Sequence, residues 1–296
     1  SRRITAYRSS APTWNAAINP DVSMLASPSI DHKKNYAPLR FMKKRYYFIT
    51  AIASYLLILL VTIPAKSITD LISENAPVSI KGVSGTLWDG RAYLITLDNN
   101  IQLDQTSWSF NWWKLLIGQL SVDIGTTFLD EAITAEAGSS LLGRVFVNDL
   151  KATIAASEVT HLANIPIARL EGAIIFDIQH AHWKQGELPL ASGSIKWNDA
   201  NVTVAETASL GNVLILLSES DQQLLNAEIK NQGGDISISG NAELIADADY
   251  AADITLVPNA SASNNVKQSL GMFARRQPNG EYNIKKSGPL SSLGLM

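Results

Sequence analysis

The amino-acid pattern predicts a mainly β fold: a single N-terminal transmembrane helix, then a curved antiparallel β-sheet domain with a few short helices. Three observations predict it. The basic cluster Met42-Lys43-Lys44-Arg45 runs into an uncharged apolar stretch, Tyr46 to Ile63. From Val78 onward, short apolar/polar alternations recur, broken by Gly, Asn and Asp; period two is the half-buried strand signal. The turns between these runs are short, whereas parallel strands would need long crossovers.

The apolar stretch of 18 residues would make roughly 27 Å of helix, close to a bilayer's hydrocarbon core. Lys43, Lys44 and Arg45 precede it, while Lys66, Asp70 and Glu74 beyond it are mixed in sign. Basic residues stay on the inner side, so the C-terminal body is predicted to be translocated. Tyr46 and its neighbours Tyr47 and Phe48 suit an interfacial aromatic belt. Ile63-Pro64-Ala65 is a poor small-x-small cleavage site, so the run reads as an uncleaved anchor over 42–63 rather than a removed signal.

Residues 1–41 lack periodicity and carry a net charge of +4, leaving −7 for the remainder of a −3 chain. They read as a non-native or disordered leader, with Met42 as the native start. Residues 64–77 read as a helical extension and linker, with Ile68–Asn75 continuing the anchor until Pro77. A β domain over 78–290 follows, with two similar halves at about 78–160 and 165–290, and 291–296 form a tail.

There is no cysteine, which removes disulfides, thiolate nucleophiles and cysteine metal sites. The acidic balance and the lack of a basic stripe argue against nucleic acid as a partner.

The strand series starts at Val78/Ile80. Tyr93/Ile95/Leu97, Asp98-Asn99-Asn100 and Ile101/Leu103 read as a hairpin. Further strands are expected around Trp108/Phe110, Leu120–Ile124, Ile133 onward, Val145–Ile154 and Ala168–Asp177. Ser192–Trp197 is expected to turn at Asn198-Asp199-Ala200-Asn201 into Val202/Val204. Val213–Leu217 follows, then Leu225–Ile229 and Ile236/Ile238 around the hairpin signal Asn231-Gln232-Gly233-Gly234-Asp235. Leu244 to Leu256 and Glu281–Ile284 complete the series. Short helices are expected at Trp112–Ile117, at Ser157–Leu162 capped by Ser157, and at Asn264–Arg276. The last carries Val266, Leu270 and Phe273 on one stripe, with Arg275 and Arg276 in its final turn.

The sharpest motif is Gly82-Val83-Ser84-Gly85-Thr86-Leu87-Trp88-Asp89-Gly90-Arg91-Ala92. Gly85 and Gly90 permit tight turns at a strand edge, and Trp88 offers a large apolar plate. Trp108-Ser109-Phe110 then leads to Leu115-Leu116-Ile117-Gly118-Gln119-Leu120, and Ser192-Gly193-Ser194-Ile195-Lys196-Trp197 lies further on. In this order the elements resemble the type II secretion system protein N (general secretion pathway protein N) family. That family has one anchor, a Gly-Thr-Leu-Trp-x-Gly element, a Trp strand entering a Leu-Leu-x-Gly-x-Leu turn, and a Gly-x-Ile-x-Trp-x-x-Ala strand. The resemblance covers residues 42–290. It marks Gly85, Thr86, Leu87, Trp88, Gly90, Trp108, Gly118, Gly193 and Trp197 as motif positions. It implies an inner-membrane component of a Gram-negative apparatus exporting folded proteins, with the β domain in the periplasm, other secretion subunits as partners and no catalytic residues. The N-terminal half is also similar to the start of AsmA-type proteins, which implies a lipid-handling groove as the alternative.

Candidate chemistry is sparse. His180 and His182 fall on one face of a strand, but no third ligand has recognisable spacing, and they read as exposed structural histidines. The carboxylates are scattered, no nucleophile elbow or P-loop occurs, and neither catalysis nor a cofactor is expected. Six tryptophans follow the anchor. They read first as core and sheet-edge packing. Trp112, Trp113 and Leu116 are the candidates for contact with a partner or lipid, as a helical plug or at the membrane interface.

Overall fold

The computed structural model describes residues 44–67, 69, 77–97, 101–162, 168–204, 206–220, 224–245 and 249–289. The leader 1–41, Lys43 and the tail 291–296 lie outside them. Helix α1 spans Lys44–Val61. It stops two residues short of the expected Ile63, because Pro64 biases Ile63 away from helical geometry. Of its 18 residues, the first two are charged. Among the described residues, no helix is long and apolar enough to cross a membrane. The helix does not simply continue afterwards: Pro64 makes an isolated bridge to Thr86, and residues 65–67 and 69 are helical again. The expected extension Ile68–Asn75 otherwise falls outside the described residues.

The described residues of the remainder form one open, curved antiparallel sheet of 15 strands. Strands β1 (Ser79–Lys81), β2 (Ser84–Gly85), β3 (Asp89–Thr96), β4 (Gln102–Phe110), β5 (Gln119–Phe128), β6 (Glu131–Ser140) and β7 (Val145–Ala155) form its first part. They are followed by β8 (Arg169–Trp183), β9 (Leu190–Thr203), β10 (Thr207–Glu219), β11 (Leu225–Gln232), β12 (Ile236–Ile245), β13 (Asp249–Pro258), β14 (Arg275–Arg276) and β15 (Tyr282–Pro289). From β3 to β13 each strand pairs with the next; β15 joins β13, β14 lies outside β15, and β1 and β2 both pair β3. β7 pairs β8 across the middle of the chain.

Short polar turns make this meander possible. The β3–β4 hairpin closes with Leu97 N–H donating to Ile101 O at 2.9 Å; its tip, residues 98–100, is outside the described set. Phe128 and Glu131 pair across Leu129 and Asp130, whose φ values are 50° and 66°. This two-residue turn has the left-handed geometry that hairpins prefer, but lacks the Asn-Gly signature that marks it in sequence.

The curvature has a local source. Gln105, Asp149 and Asp199 all have φ near +50°, and each sits where the register of neighbouring strands shifts. Such bulges bend a strand and increase its twist. Asp199 corrects the sequence reading. Asn198–Asn201 is not a turn but a bulge inside continuous β9. Its backbone is satisfied in place: Asn212 Oδ1 accepts from Asp199 N–H at 3.1 Å, and Asn201 Nδ2 donates to Asp199 O at 3.0 Å.

Helices α2 (Trp112–Leu115), α3 (Ala156–Leu162) and α4 (Asn264–Phe273) interrupt the meander. Ser263 caps α4, accepting from Val266 N–H at 3.1 Å, a cap worth about 1 kcal/mol. α4 stops before Arg275 and Arg276, which instead pair with Asn283 and Tyr282; Ala274 has already turned extended. The main apolar cluster lies under α4, where Val266 meets Ile236, Leu256, Ala262, Ala274 and Tyr282. Phe273, expected on the buried stripe, is exposed. Tyr282 Oη donates to Lys267 O at 3.1 Å and ties the helix to β15.

Close approach makes one motif glycine indispensable. A Cβ on Gly90 would lie 2.4 Å from Trp108 Cζ2 and 2.8 Å from Thr86 O. Gly90→Ala should therefore destabilise the protein by about 1–3 kcal/mol, read as an earlier urea-unfolding midpoint with an unchanged slope. An unaltered midpoint would mean the indole moves aside freely.

Candidate functional site

Two regions gather the singled-out residues. The first is the Gly85–Gly90 turn. Gly85 adopts φ of 87°, a conformation that costs glycine nothing. Thr86 N–H then donates to Asp89 O at 2.8 Å, and Thr86 Oγ1 accepts from Asp89 N–H at 3.1 Å. The closed turn aims the next two residues at the end of α1. Leu87 N–H donates to Ile63 O, and Trp88 Nε1 donates to Leu60 O, both at 2.9 Å. A helix leaves its final carbonyls without internal partners; this motif supplies a donor to one of them, Leu60 O, and a second to Ile63 O two residues beyond the helix. Trp108 Nε1 fixes the turn from the other side by donating to Leu87 O at 3.0 Å.

Trp88 also nucleates an aromatic cluster. Its ring centroid lies 5.1 Å from Phe110 and 4.7 Å from Trp112, and Phe110 lies 4.9 Å from Trp112. The tilted and edge-on arrangements are those favoured by ring quadrupoles. Trp112 thus joins the packing, while Trp113, 79% exposed, does not. The turn after α2 runs to Gly118, whose carbonyl accepts from Leu141 N–H at 3.0 Å. Leu116, Ile117, Leu141 and Leu142 are exposed beside it. The expected helix through Ile117 is shorter, ending at Leu115, because its 112–117 segment closes as turns with bonds such as Ile117 N–H to Lys114 O.

The second region is a polar relay that sequence reasoning missed. Lys114 bonds Glu136, as does Ser121. Asn148 Nδ2 donates to the other Glu136 oxygen at 3.4 Å, and Asn148 Oδ1 lies 2.7 Å from His180 Nδ1. His180 Nε2 in turn lies 2.9 Å from His182 Nδ1. Register explains the assembly, since Glu136 faces Asn148 and Asn148 faces His180 on successive strands. Burial alone would raise the Glu136 pKa, but bonds from Lys114, Ser121 and Asn148 outweigh it and hold the carboxyl below its ordinary range. His182 is lowered, first by burial and then by the charges of His180 and Arg144, with Glu219 and Glu187 opposing.

Gly193 and Trp197 lie elsewhere, on β9. A Cβ on Gly193 would come 2.5 Å from Asp177 O, and Trp197 Nε1 donates to Glu171 O at 2.9 Å. They brace β9 against β8 and share no pocket with the α1 turn. Of the residues assigned to the anchor, Tyr46 is exposed and Ile63 supplies the carbonyl used by Leu87; the side chains of Lys44 and Arg45 lie outside the described set.

The fold and these contacts define a class: an open antiparallel meander whose first hairpin is bonded to the end of an apolar helix. Residues 76–285 match the family model for type II secretion system (T2SS), protein N, and the chain belongs to that family. The chain is 26% identical over 250 residues to a type II secretion system protein N of Aeromonas hydrophila, covering 80% of this chain and 95% of that one. It is 22% identical over 240 residues to a protein of the same name from Vibrio cholerae serotype O1, covering 78% and 92% respectively. No solved structure matches.

The Glu136 relay yields a pH prediction. A carboxyl whose folded pKa is depressed contributes stability above its unfolded value, lost as pH falls through the folded one. Glu136→Gln should cost about 1–3 kcal/mol at neutral pH, and the gap from the parent should shrink as pH falls through and below the ordinary carboxylate range. Parallel urea titrations measure this; a gap that stays constant with pH would mean the carboxylate charge contributes nothing.

Proposed function

We propose that this protein is a non-enzymatic, inner-membrane component of the type II secretion apparatus, which assists assembly or coupling for export of folded proteins across the outer membrane. Membership of the protein N family over 76–285 carries this reading. In it, the 42–63 segment is a single-pass anchor and the 78–290 β domain lies in the periplasm. The exposed apolar side chains along α1, from Tyr46 to Val61, support an anchor; the uncharged run continues in sequence to Ile63. The basic residues before it favour a cytoplasmic N-terminal side.

Trp113 and Leu116, with Leu141 and Leu142, sit against the bilayer surface in this reading. Their turn is continuous with the anchor through Trp112, Trp88 and Leu60 O. Exposed apolar side chains of this size favour an apolar environment. Reconstituted into vesicles containing brominated lipid, the parent should show more tryptophan quenching than Trp113→Phe. Equal quenching would remove Trp113 from the membrane.

Partner contact follows from the open sheet. From Ile284 to Gly288, β15 has no outer strand partner among the described residues, and a free edge can accept an added strand. In cells, photo-crosslinkers placed at Lys285 or Ser287 should capture another secretion subunit. Capture of none, from these or other exposed positions, would sink the assembly role.

One observation favours a second reading, a lipid-handling groove. An apolar cavity of about 220 Å³ opens between α4 and the sheet, lined by Leu210, Ile238, Leu256, Val266, Leu270 and Phe273. Native mass spectrometry of detergent-purified protein would show copurifying phospholipid under this reading and none under the first.

A further inference from the structure

The structure brings a carboxylate beside the histidine pair. His180 and His182 lie two residues apart on β8, and Glu219 ends β10. β9 separates those strands, so sequence gives no hint that they meet. Yet one ligand atom from each of the three side chains lies within 4.8 Å of the other two.

We propose that His180, His182 and Glu219 bind a divalent transition-metal ion of the zinc class. Two imidazoles and one carboxylate are a donor set that zinc accepts, leaving a fourth position for water. Imidazole nitrogen disfavours calcium and magnesium, which take oxygen ligands. The histidines already converge, with His180 Nε2 and His182 Nδ1 2.9 Å apart. Tetrahedral zinc with bonds of about 2.05 Å needs about 3.3 Å between two nitrogens, so the rings separate by only a few tenths of an ångström.

An outer partner orients the site. Asn148 Oδ1 lies 2.7 Å from His180 Nδ1. When that nitrogen carries the proton, the Nε2 lone pair points at His182. Bonds of this kind fix the tautomer of ligating histidines. Nearby positive charge is already engaged: Lys184 pairs with Glu187 at 2.9 Å, and Arg144 lies 3.9 Å from the same carboxylate. The site would join β8 to β10 across β9 with one coordination position open to solvent.

The test uses the full chain in detergent, without a polyhistidine tag and stripped by chelator. Zinc chloride is titrated calorimetrically, and cobalt chloride by visible absorption. One equivalent should bind, with cobalt bands of a low-coordinate nitrogen/oxygen site. His180→Ala with His182→Ala should abolish binding. Glu219→Gln and Asn148→Ala should each weaken it at least about tenfold, while His161→Ala should leave it unchanged. Circular dichroism of each variant should match the parent. Absence of zinc binding at about 100 μM, roughly 5.5 kcal/mol of affinity, would overturn the site. So would binding that survives loss of both histidines, or binding that disappears with His161.

Discussion

The joint between helix and sheet is the constraint on which the N-terminal part of the molecule depends. A helix ending near a sheet presents carbonyls that need donors. Here Leu60 O, in the last turn of α1, accepts from Trp88 Nε1, and Ile63 O, just beyond the helix, accepts from Leu87 N–H. Those donors are presented only because Gly85 turns with positive φ and Thr86 closes on Asp89. Gly90 then leaves room for Trp108, which bonds back to Leu87 O. Every residue of the Gly-Thr-Leu-Trp-x-Gly element other than the variable one therefore has a physical task at one joint, and Asp89, at the variable position, contributes its backbone.

From that joint the sheet extends by local pairing, strand after strand. Three non-glycine residues with positive φ lie at register shifts and bend it. Lys114 binds α2 to the sheet through Glu136, so Trp113 is held between ring packing at Trp112 and an ion pair at Lys114. A buried acid would be costly alone. Donors from Lys114 on α2, Ser121 on β5 and Asn148 on β7 make it favourable.

The two halves of the sheet manage their apolar residues differently. At the C-terminal end α4 covers a cluster centred on Val266 and leaves a cavity beside it. Near α1 the aromatic rings pack together, while the apolar tips beyond them remain exposed. The exposed tips support a membrane-apposed secretion component, whereas the cavity supports a lipid-binding one. Both readings rest on surfaces and edges of the sheet.

Composition and period two determined much of the architecture. Alternation located nearly all the long strands, and short polar turns required antiparallel order, because both signals are local to each segment. The order of motif residues also carried the family. Tertiary structure alone decided where β9 continues through Asn198–Asn201, since Asp199 looks like a turn residue until Asn212 and Asn201 satisfy its backbone. It decided that Arg275 and Arg276 join β15, because strand pairing outweighed a helical stripe that ended at Phe273. It also brought Glu136, Asn148 and His180 into line and set Glu219 beside the histidines. Register between strands places such groups together, and no spacing along one strand encodes which residue on the next will face it.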